Sequence, residues 1–392
     1  MRDFLAKKVV ELKPSGIRKF FDIASEIKDA ISLGVGEPDF DTPWHIREEG
    51  IYSLERGKTY YTSNAGLLEL RKEISNYTKT KYNIEYDYKK EILVTVGGSE
   101  AIDIALRSVI EPGDEVIIPN PCYVSYEPCT IMAGGTPVTI NLKNENEFRL
   151  QPEELEAVIT PKSKVIILNY PNNPTGAIME YDDLKKICDV IIKHDLLVIS
   201  DEIYAELTYS GKPHVSIASL PGMRERTIVV NGFSKAFSMT GWRLGYAMGP
   251  EAILRQMTKI HQFCIMCAPT NSQYAAIEAL KNGDDDVISM RNSYDERRRF
   301  LIDWFNKMNI PMFTPLGAFY IFPDIREFKM TSEEFALKLL NEEKVVVVPG
   351  TAFGKSGEGF VRISYAYSID DLKKALERIE KFVNNFRKNS SK

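Results

Sequence analysis

Through the middle of the chain, short runs rich in Val and Ile alternate with longer stretches whose apolar positions recur every three or four residues. The runs have the character of buried strands and the longer stretches that of helices with one apolar face, so their alternation predicts an α/β domain. Strands are expected at 92–96, 115–119, 137–140, 164–169, 196–200, 227–230 and 243–248, with helices over 99–110, 181–194 and 253–263. Glu111-Pro-Gly-Asp114 and Leu220-Pro-Gly222 are turn signals between them. The C-terminal portion has a different rhythm: a long polar helix near 285–308, strands around 317–322, 345–348 and 359–365, and a closing helix over 369–386. With the segment up to Pro43 it is expected to form a smaller α+β domain. The division is then 44–285 for the large domain and 1–43 with 286–392 for the small one.

A length of 392 residues exceeds what one core usually covers, in keeping with two domains. Hydrophobic content of 44% and charged content of 27% describe an ordinary globular protein, and a net charge of −5 argues against nucleic acid as the main partner. No apolar run reaches membrane-spanning length. The start, Met1-Arg-Asp-Phe-Leu-Ala-Lys-Lys8, lacks the apolar centre of a signal peptide, and a cytoplasmic address is expected. The cysteines are Cys122, Cys129, Cys188, Cys264 and Cys267, an odd and scattered set that makes a poor disulfide framework. Cys264-Ile-Met-Cys267 has redox spacing, but no second pair or histidine cluster completes it, and it is read as structural. The four histidines stand far apart and in no metal-ligand spacing.

Chemistry is expected where the strands end, because open α/β sheets bind ligands beyond the carboxyl ends of their strands. The strand at 92–96 runs into Gly97-Gly98-Ser99-Glu100 at a helix start, where free N–H groups and the dipole can seat a phosphate. The strand at 164–169 runs into Tyr170-Pro-Asn-Asn-Pro-Thr-Gly176, a loop that leaves Asn172 and Asn173 as donors or is only a rigid turn. Asp201 ends so apolar a strand that its charge is costly without a cation or a strong donor. After 227–230 comes Asn231-Gly-Phe-Ser-Lys-Ala-Phe-Ser-Met-Thr-Gly-Trp-Arg243. Apolar neighbours and a nearby second cation would lower the pKa of Lys235 and make it a nucleophile towards aldehydes; alone, it could equally be a surface lysine. One ligand accounts for all these tips: an aromatic aldehyde with a phosphate and a ring nitrogen. Lys235 would bond the aldehyde, Asp201 would keep the pyridine nitrogen protonated, and Gly98, Ser99 and Arg243 would hold the phosphate. That ligand is pyridoxal phosphate.

The chain resembles the class I/II aminotransferases of fold type I, in the branch holding prokaryotic aspartate and aromatic aminotransferases. The resemblance is carried by Ser32-Leu-Gly-Val-Gly-Glu-Pro-Asp-Phe-Asp-Thr-Pro43, Tyr60–Arg71, Tyr170–Gly176, Asp201–Tyr204 and Ser234–Gly245. It continues through Gly317-Ala-Phe-Tyr320, Val348-Pro-Gly350 and Val361-Arg-Ile-Ser-Tyr365. It implies a mostly parallel seven-stranded sheet flanked by helices, plus the smaller α+β domain. It implies that Lys235 binds the cofactor and then shuttles a proton. Asp201 is implied to pair with the ring nitrogen, with Tyr204 and Asn173 on the ring's 3-oxygen. Tyr123 would stack on the ring face, where some branches have tryptophan. Gly98, Ser99 and Arg243 would bind phosphate, and Ser234 would supply the contact that a hydroxyl residue gives elsewhere at the position of Gly232. Tyr61 would reach the phosphate of a neighbouring subunit, which implies a homodimer with shared sites. Arg362 would clamp the substrate α-carboxylate, helped by Asn173 and the Gly36 backbone. Cis bonds are implied before Pro121 and Pro174.

The expected reaction is a two-stage amino transfer between an L-amino acid and a 2-oxo acid, with 2-oxoglutarate and glutamate the common pair. Three alternatives share the fold or the α/β pattern. A carbon–sulfur β-lyase shares most residues, although the contexts of Gly36 and Arg362 resemble aminotransferases more. A cofactor-sensing regulator would carry an added DNA-binding domain, and a nucleotide-binding enzyme would show a Gly-x-Gly-x-x-Gly fingerprint. Aspartate, aromatic amino acids and N-acetyl-diaminopimelate all stay open as substrates. Phe20, Tyr61 and Tyr123 could line an aromatic-accepting pocket, and Tyr320 is either pocket lining or core.

Overall fold

In the computed structural model, which describes residues 4–12, 14, 16, 27 and 29–390, all seven expected strands join one sheet. They are β2 (Ile92–Thr95), β3 (Glu115–Asn120), β4 (Thr136–Asn141), β5 (Ser163–Asn169), β6 (Leu197–Asp201), β7 (Thr227–Gly232) and β8 (Gly245–Met248). The order across the sheet is β2-β8-β7-β6-β5-β3-β4. Only β8 runs against its neighbours, β2 and β7. Alternate residues of these strands enter cores on opposite faces. Val165, Ile167 and Ile199 meet Ala101, Ile104 and Ala105 of the helix Gly97–Val109 on one face. On the other, Ile166, Leu168 and Val198 meet Leu184, Ile187 and Ile191 of the helix Tyr181–Lys193. Burial on both faces is why the strands are continuous apolar runs rather than alternating ones.

The C-terminal portion carries β9 (Tyr320–Ile321), β10 (Val345–Val346), β11 (Val348–Pro349) and β12 (Val361–Ser364). β12 lies between β11 and β9, antiparallel to both. The N-terminal strand β1 (Ile31–Ser32) pairs in parallel with β10, and Leu33 packs in one core with Tyr294, Phe319 and Leu376. The long helices Asp284–Lys307 and Ile369–Ser390 cover this region.

Two expected strands start later than the sequence suggests. Arg243 adopts φ +49° and Ala318 φ +57°, so each belongs to the turn before its strand. The helices Trp44–Glu55, Leu68–Tyr82, Thr270–Asn282 and Ser332–Glu343 were not among those expected. The first shows why: it buries Ile46, Gly50 and Ser53 while exposing Trp44, Ile51, Tyr52 and Leu54, and so presents no single apolar stripe. The peptides before Pro121 and Pro174 are cis, as expected, and so is the one before Pro171.

Glycines bring the strand ends close together. A Cβ on Gly245 would lie 2.6 Å from both the Gly97 carbonyl carbon and the Gly98 nitrogen. Gly232 faces Gly245 across the β7–β8 pair, where a Cβ would lie 3.0 Å from the Gly245 Cα. A hydroxyl residue at 232 would meet this crowding. Gly245→Ala is therefore expected to lower the unfolding free energy by about 1–3 kcal/mol. Urea denaturation checks this; an unchanged midpoint would contradict the close packing.

Candidate active site

Parallel pairing draws the chemistry to one edge of the sheet. The register sets Asn169 beside Asp201 and Asp201 beside Val230, so the residues following β5, β6 and β7 converge. β7 leads through Phe233 to Ser234 and Lys235, and β2 leads into the helix whose first turn holds Gly98 and Ser99. A cavity of about 380 Å³ opens there. It is lined by Gly36, Gly98, Ser99, Tyr123, Asn173, Asp201, Tyr204, Ser234, Lys235, Arg243 and Arg362. Every expected site residue is therefore present except Tyr61, which is 80% exposed and outside this cavity. Phe20 lies outside the described residues.

The charges in this cavity are held against their solvation preferences. Lys235 opens partly to the cavity, but its amine is surrounded by protein and donates to the Gly36 carbonyl at 2.6 Å. Burial lowers its pKa to about 8, with Arg362 and Arg243 adding to the fall while Glu37 and Asp201 oppose it. Asp201 is only 5% exposed. Burial raises its pKa from 3.8 to about 6, against hydrogen bonds from the Tyr126 hydroxyl at 2.6 Å and the Ile203 N–H at 3.2 Å. Each group thus moves towards the pH at which proton transfer is easiest.

Arg362, on β12, is 2% exposed and faces the same space. One terminal nitrogen donates to Asn173 Oδ1 at 2.8 Å and the other to the Gly34 carbonyl. Its guanidinium carbon sits 4.4 Å from the Tyr320 ring centroid and 4.7 Å from that of Phe353. Its Nε is buried with no hydrogen-bond partner. Such a group is normally satisfied, so an anionic ligand at this point fits the donor set. Arg243 is exposed to the cavity, donates to the Thr240 carbonyl at 2.9 Å, and lies against Gly97 at the helix start. A cation, helix N–H groups and the hydroxyls of Ser99 and Ser234 make a suitable phosphate seat. A buried carboxylate and an amine of lowered pKa lining one cavity suit a protonated pyridine bearing an aldehyde. Pyridoxal phosphate fits the residues present.

Several residues in or behind the cavity wall were not singled out in the sequence. Tyr126, which holds Asp201, stacks edge-on against Tyr123 with centroids 5.6 Å apart. Its spacing of three from Tyr123, on a helix start, was the available signal. Glu37 and Thr240 are hydrogen-bonded to each other at the cavity wall, and Val35 and Ile203 supply apolar surface. Tyr320, for which two readings were open, belongs to the cavity wall.

The family model for aminotransferase class I and II matches residues 28–379. An aspartate aminotransferase of Pyrococcus abyssi is 50% identical, the alignment covering 94% of this chain and 96% of that protein. An aromatic-amino-acid aminotransferase of Thermococcus litoralis is 46% identical over 96% of this chain and 97% of its own. The crystal structure of an aromatic aminotransferase from Pyrococcus horikoshii superimposes with a TM-score of 0.90 at 47% identity, covering 95% of this chain and 99% of that one.

The raised pKa of Asp201 carries a stability consequence. An acid whose folded pKa lies above its unfolded value costs stability that is absent below about pH 4 and grows as pH rises through about 6. Asp201→Asn removes this cost, so the apoprotein variant gains on wild type by about 1 kcal/mol more at roughly pH 8 than at roughly pH 5. Urea denaturation of both apoproteins at the two pH values checks this. An equal difference at both would show that burial does not perturb Asp201.

Proposed function

The chain belongs to the class I and II aminotransferases and is a pyridoxal-phosphate-dependent transaminase; from that premise we propose that Lys235 is its catalytic base and aspartate or aromatic L-amino acids its donors. The reading includes a 2-oxo acid acceptor, with 2-oxoglutarate and glutamate as the common pair. When bound, the cofactor supplies an electron sink for charge developing at the substrate α-carbon. The chain's own residues bind, orient and move protons. Arg362 holds the α-carboxylate, its fork already oriented by Asn173 and the Gly34 carbonyl. Asp201, oriented by the Tyr126 hydroxyl, would keep a proton on the ring nitrogen. Tyr204 and the Asn173 amide would donate to the ring's 3-oxygen, Gly98, Ser99, Ser234 and Arg243 would hold the phosphate, and Tyr123 would cover the ring face. Lys235 Nζ, with a pKa of about 8, removes the α-proton and returns it.

The observation that carries this reading is one cavity holding an amine of lowered pKa, a carboxylate of raised pKa and a buried guanidinium with an unpaired N–H. Among the described residues, Lys235, Arg243 and Arg362 are the cavity's cations and each has a role, while Val35 and Ile203 are apolar. That composition supports uncharged, aromatic side chains among the donors. We also infer a homodimer: Tyr60, Tyr61 and Phe263 are more than three-quarters exposed, more aromatic surface than an isolated chain usually leaves to water. In that assembly Tyr61 reaches the phosphate of the partner subunit's cofactor. We assign 44–285 to the cofactor-binding domain and 1–43 with 286–392 to the small domain, some of whose terminal residues lie outside the described ones; the pairing of β1 with β10 supports grouping the N-terminal segment with the C-terminal portion. Cys122, Cys129 and Cys188 are buried free thiols, which suits a cytoplasmic, reducing compartment.

Single amino acids mixed with the purified holoenzyme should convert the cofactor's absorbance to that of its amine form, with phenylalanine, tyrosine or aspartate effective. Conversion by none of them would contradict the donor class. Lys235→Ala should abolish turnover while the protein still folds; normal turnover would refute the assignment. Arg362→Lys loses the bidentate fork, and steady-state kinetics should show kcat/KM lower by about 10–100-fold.

A further inference from the structure

Tyr320 opens β9 at the cavity wall, 1% exposed, and touches both halves of the site. Its hydroxyl lies 2.8 Å from that of Tyr204, and its ring lies under the Arg362 guanidinium. The Tyr204 and Tyr320 rings meet edge-on, 5.9 Å apart at 77°. The hydroxyl also occupies the space that a Cβ on residue 36 would need, so the glycine there and this tyrosine presuppose each other. We propose that Tyr320 is a positioning residue whose hydroxyl strengthens Tyr204 as a donor to the cofactor's ring oxygen while its ring holds Arg362 in place.

The inference rests on the assignment of Tyr204 to that ring oxygen. Tyr204 has one hydroxyl proton. If it gives that proton to the ring oxygen, its own oxygen is left to accept, and Tyr320 is the hydroxyl within reach. A donor that is itself receiving a hydrogen bond is polarised and gives a stronger one. A stronger donor favours the negative ring oxygen, and with it the deprotonated form of the bound chromophore. Loss of the Tyr320 hydroxyl therefore raises the pH midpoint at which that chromophore titrates. The ring acts separately: stacked beneath the guanidinium, it limits the orientations open to Arg362.

The test is the absorbance of the bound cofactor against pH, with steady-state kinetics alongside. Tyr320→Phe deletes one oxygen and keeps the ring; the midpoint should rise by about half to one pH unit. The KM for the amino acid should stay within about threefold, since Arg362 keeps its ring. Tyr320→Leu should show the same midpoint shift and also a raised KM. In a Tyr204→Phe background, adding Tyr320→Phe should give no further shift. Gly36→Ala, whose new methyl displaces the hydroxyl, should move the midpoint in the same direction. An unchanged midpoint in Tyr320→Phe, or a shift that adds to that of Tyr204→Phe, would overturn the proposal. A wild-type protein with no pH-sensitive cofactor band would instead overturn the cofactor assignment beneath it.

Discussion

The site depends on one electrostatic constraint: an amine and a carboxylate line one cavity, each packed among protein atoms that solvate its charge poorly. Lys235 responds by giving up its proton more readily, and Asp201 by holding one more tightly. Neither arrangement stabilises the protein by itself, since burying a charge without full compensation costs free energy. The cost is useful because a ligand carrying an electrophilic carbon and a ring nitrogen satisfies both groups at once. Arg362 follows the same logic, with two of its nitrogens spent on orientation and Nε left for a ligand. Sites that bind tightly commonly keep such unmet demands.

The fold supplies this tension at little conformational expense. Three parallel strands in fixed register deliver Asn169, Asp201 and the approach to Lys235 from rigid positions, and helices cover both faces of the sheet. Close approach at Gly97, Gly98 and Gly245 puts the glycine turn directly against β8, which in turn crowds Gly232 of β7, the strand that leads to Lys235. The second half of the site comes from elsewhere in the chain. Arg362 and Tyr320 come from adjacent strands, β12 and β9, and Gly36 follows β1, so the groups proposed to face substrate belong to the C-terminal portion and its N-terminal partner strand. In the proposed reading, cofactor chemistry and carboxylate recognition are built on different elements, joined through the Tyr204–Tyr320 and Asn173–Arg362 hydrogen bonds.

How much of this could be read from the residues follows from what each element buries. The central strands β2, β3, β5, β6 and β7 were legible because burial on both faces makes them near-continuous apolar runs, and the polar ends of several marked the cavity. Lys235, Asp201, Arg243, Asn173 and Arg362 were legible because each sits in a distinctive motif. Helices such as Trp44–Glu55 were not, because their apolar residues face outward as well as inward. Arg243 and Ala318 misled the strand boundaries because a positive φ leaves no trace in a non-glycine residue. Tyr126 was not picked out, and Tyr320 stayed open between pocket lining and core, for another reason: a tyrosine that spends its ring on packing and its hydroxyl on one buried polar partner has no pattern of its own.

The central claim is that Lys235 forms the covalent bond to pyridoxal phosphate in a cavity where Asp201 opposes it. Borohydride reduction of the holoenzyme followed by peptide mapping tests it most directly. The account predicts a single stable cofactor adduct on the peptide containing Lys235, lost in the Lys235→Ala protein. An adduct on another lysine, or none on a protein that still shows the cofactor's absorbance, would contradict it.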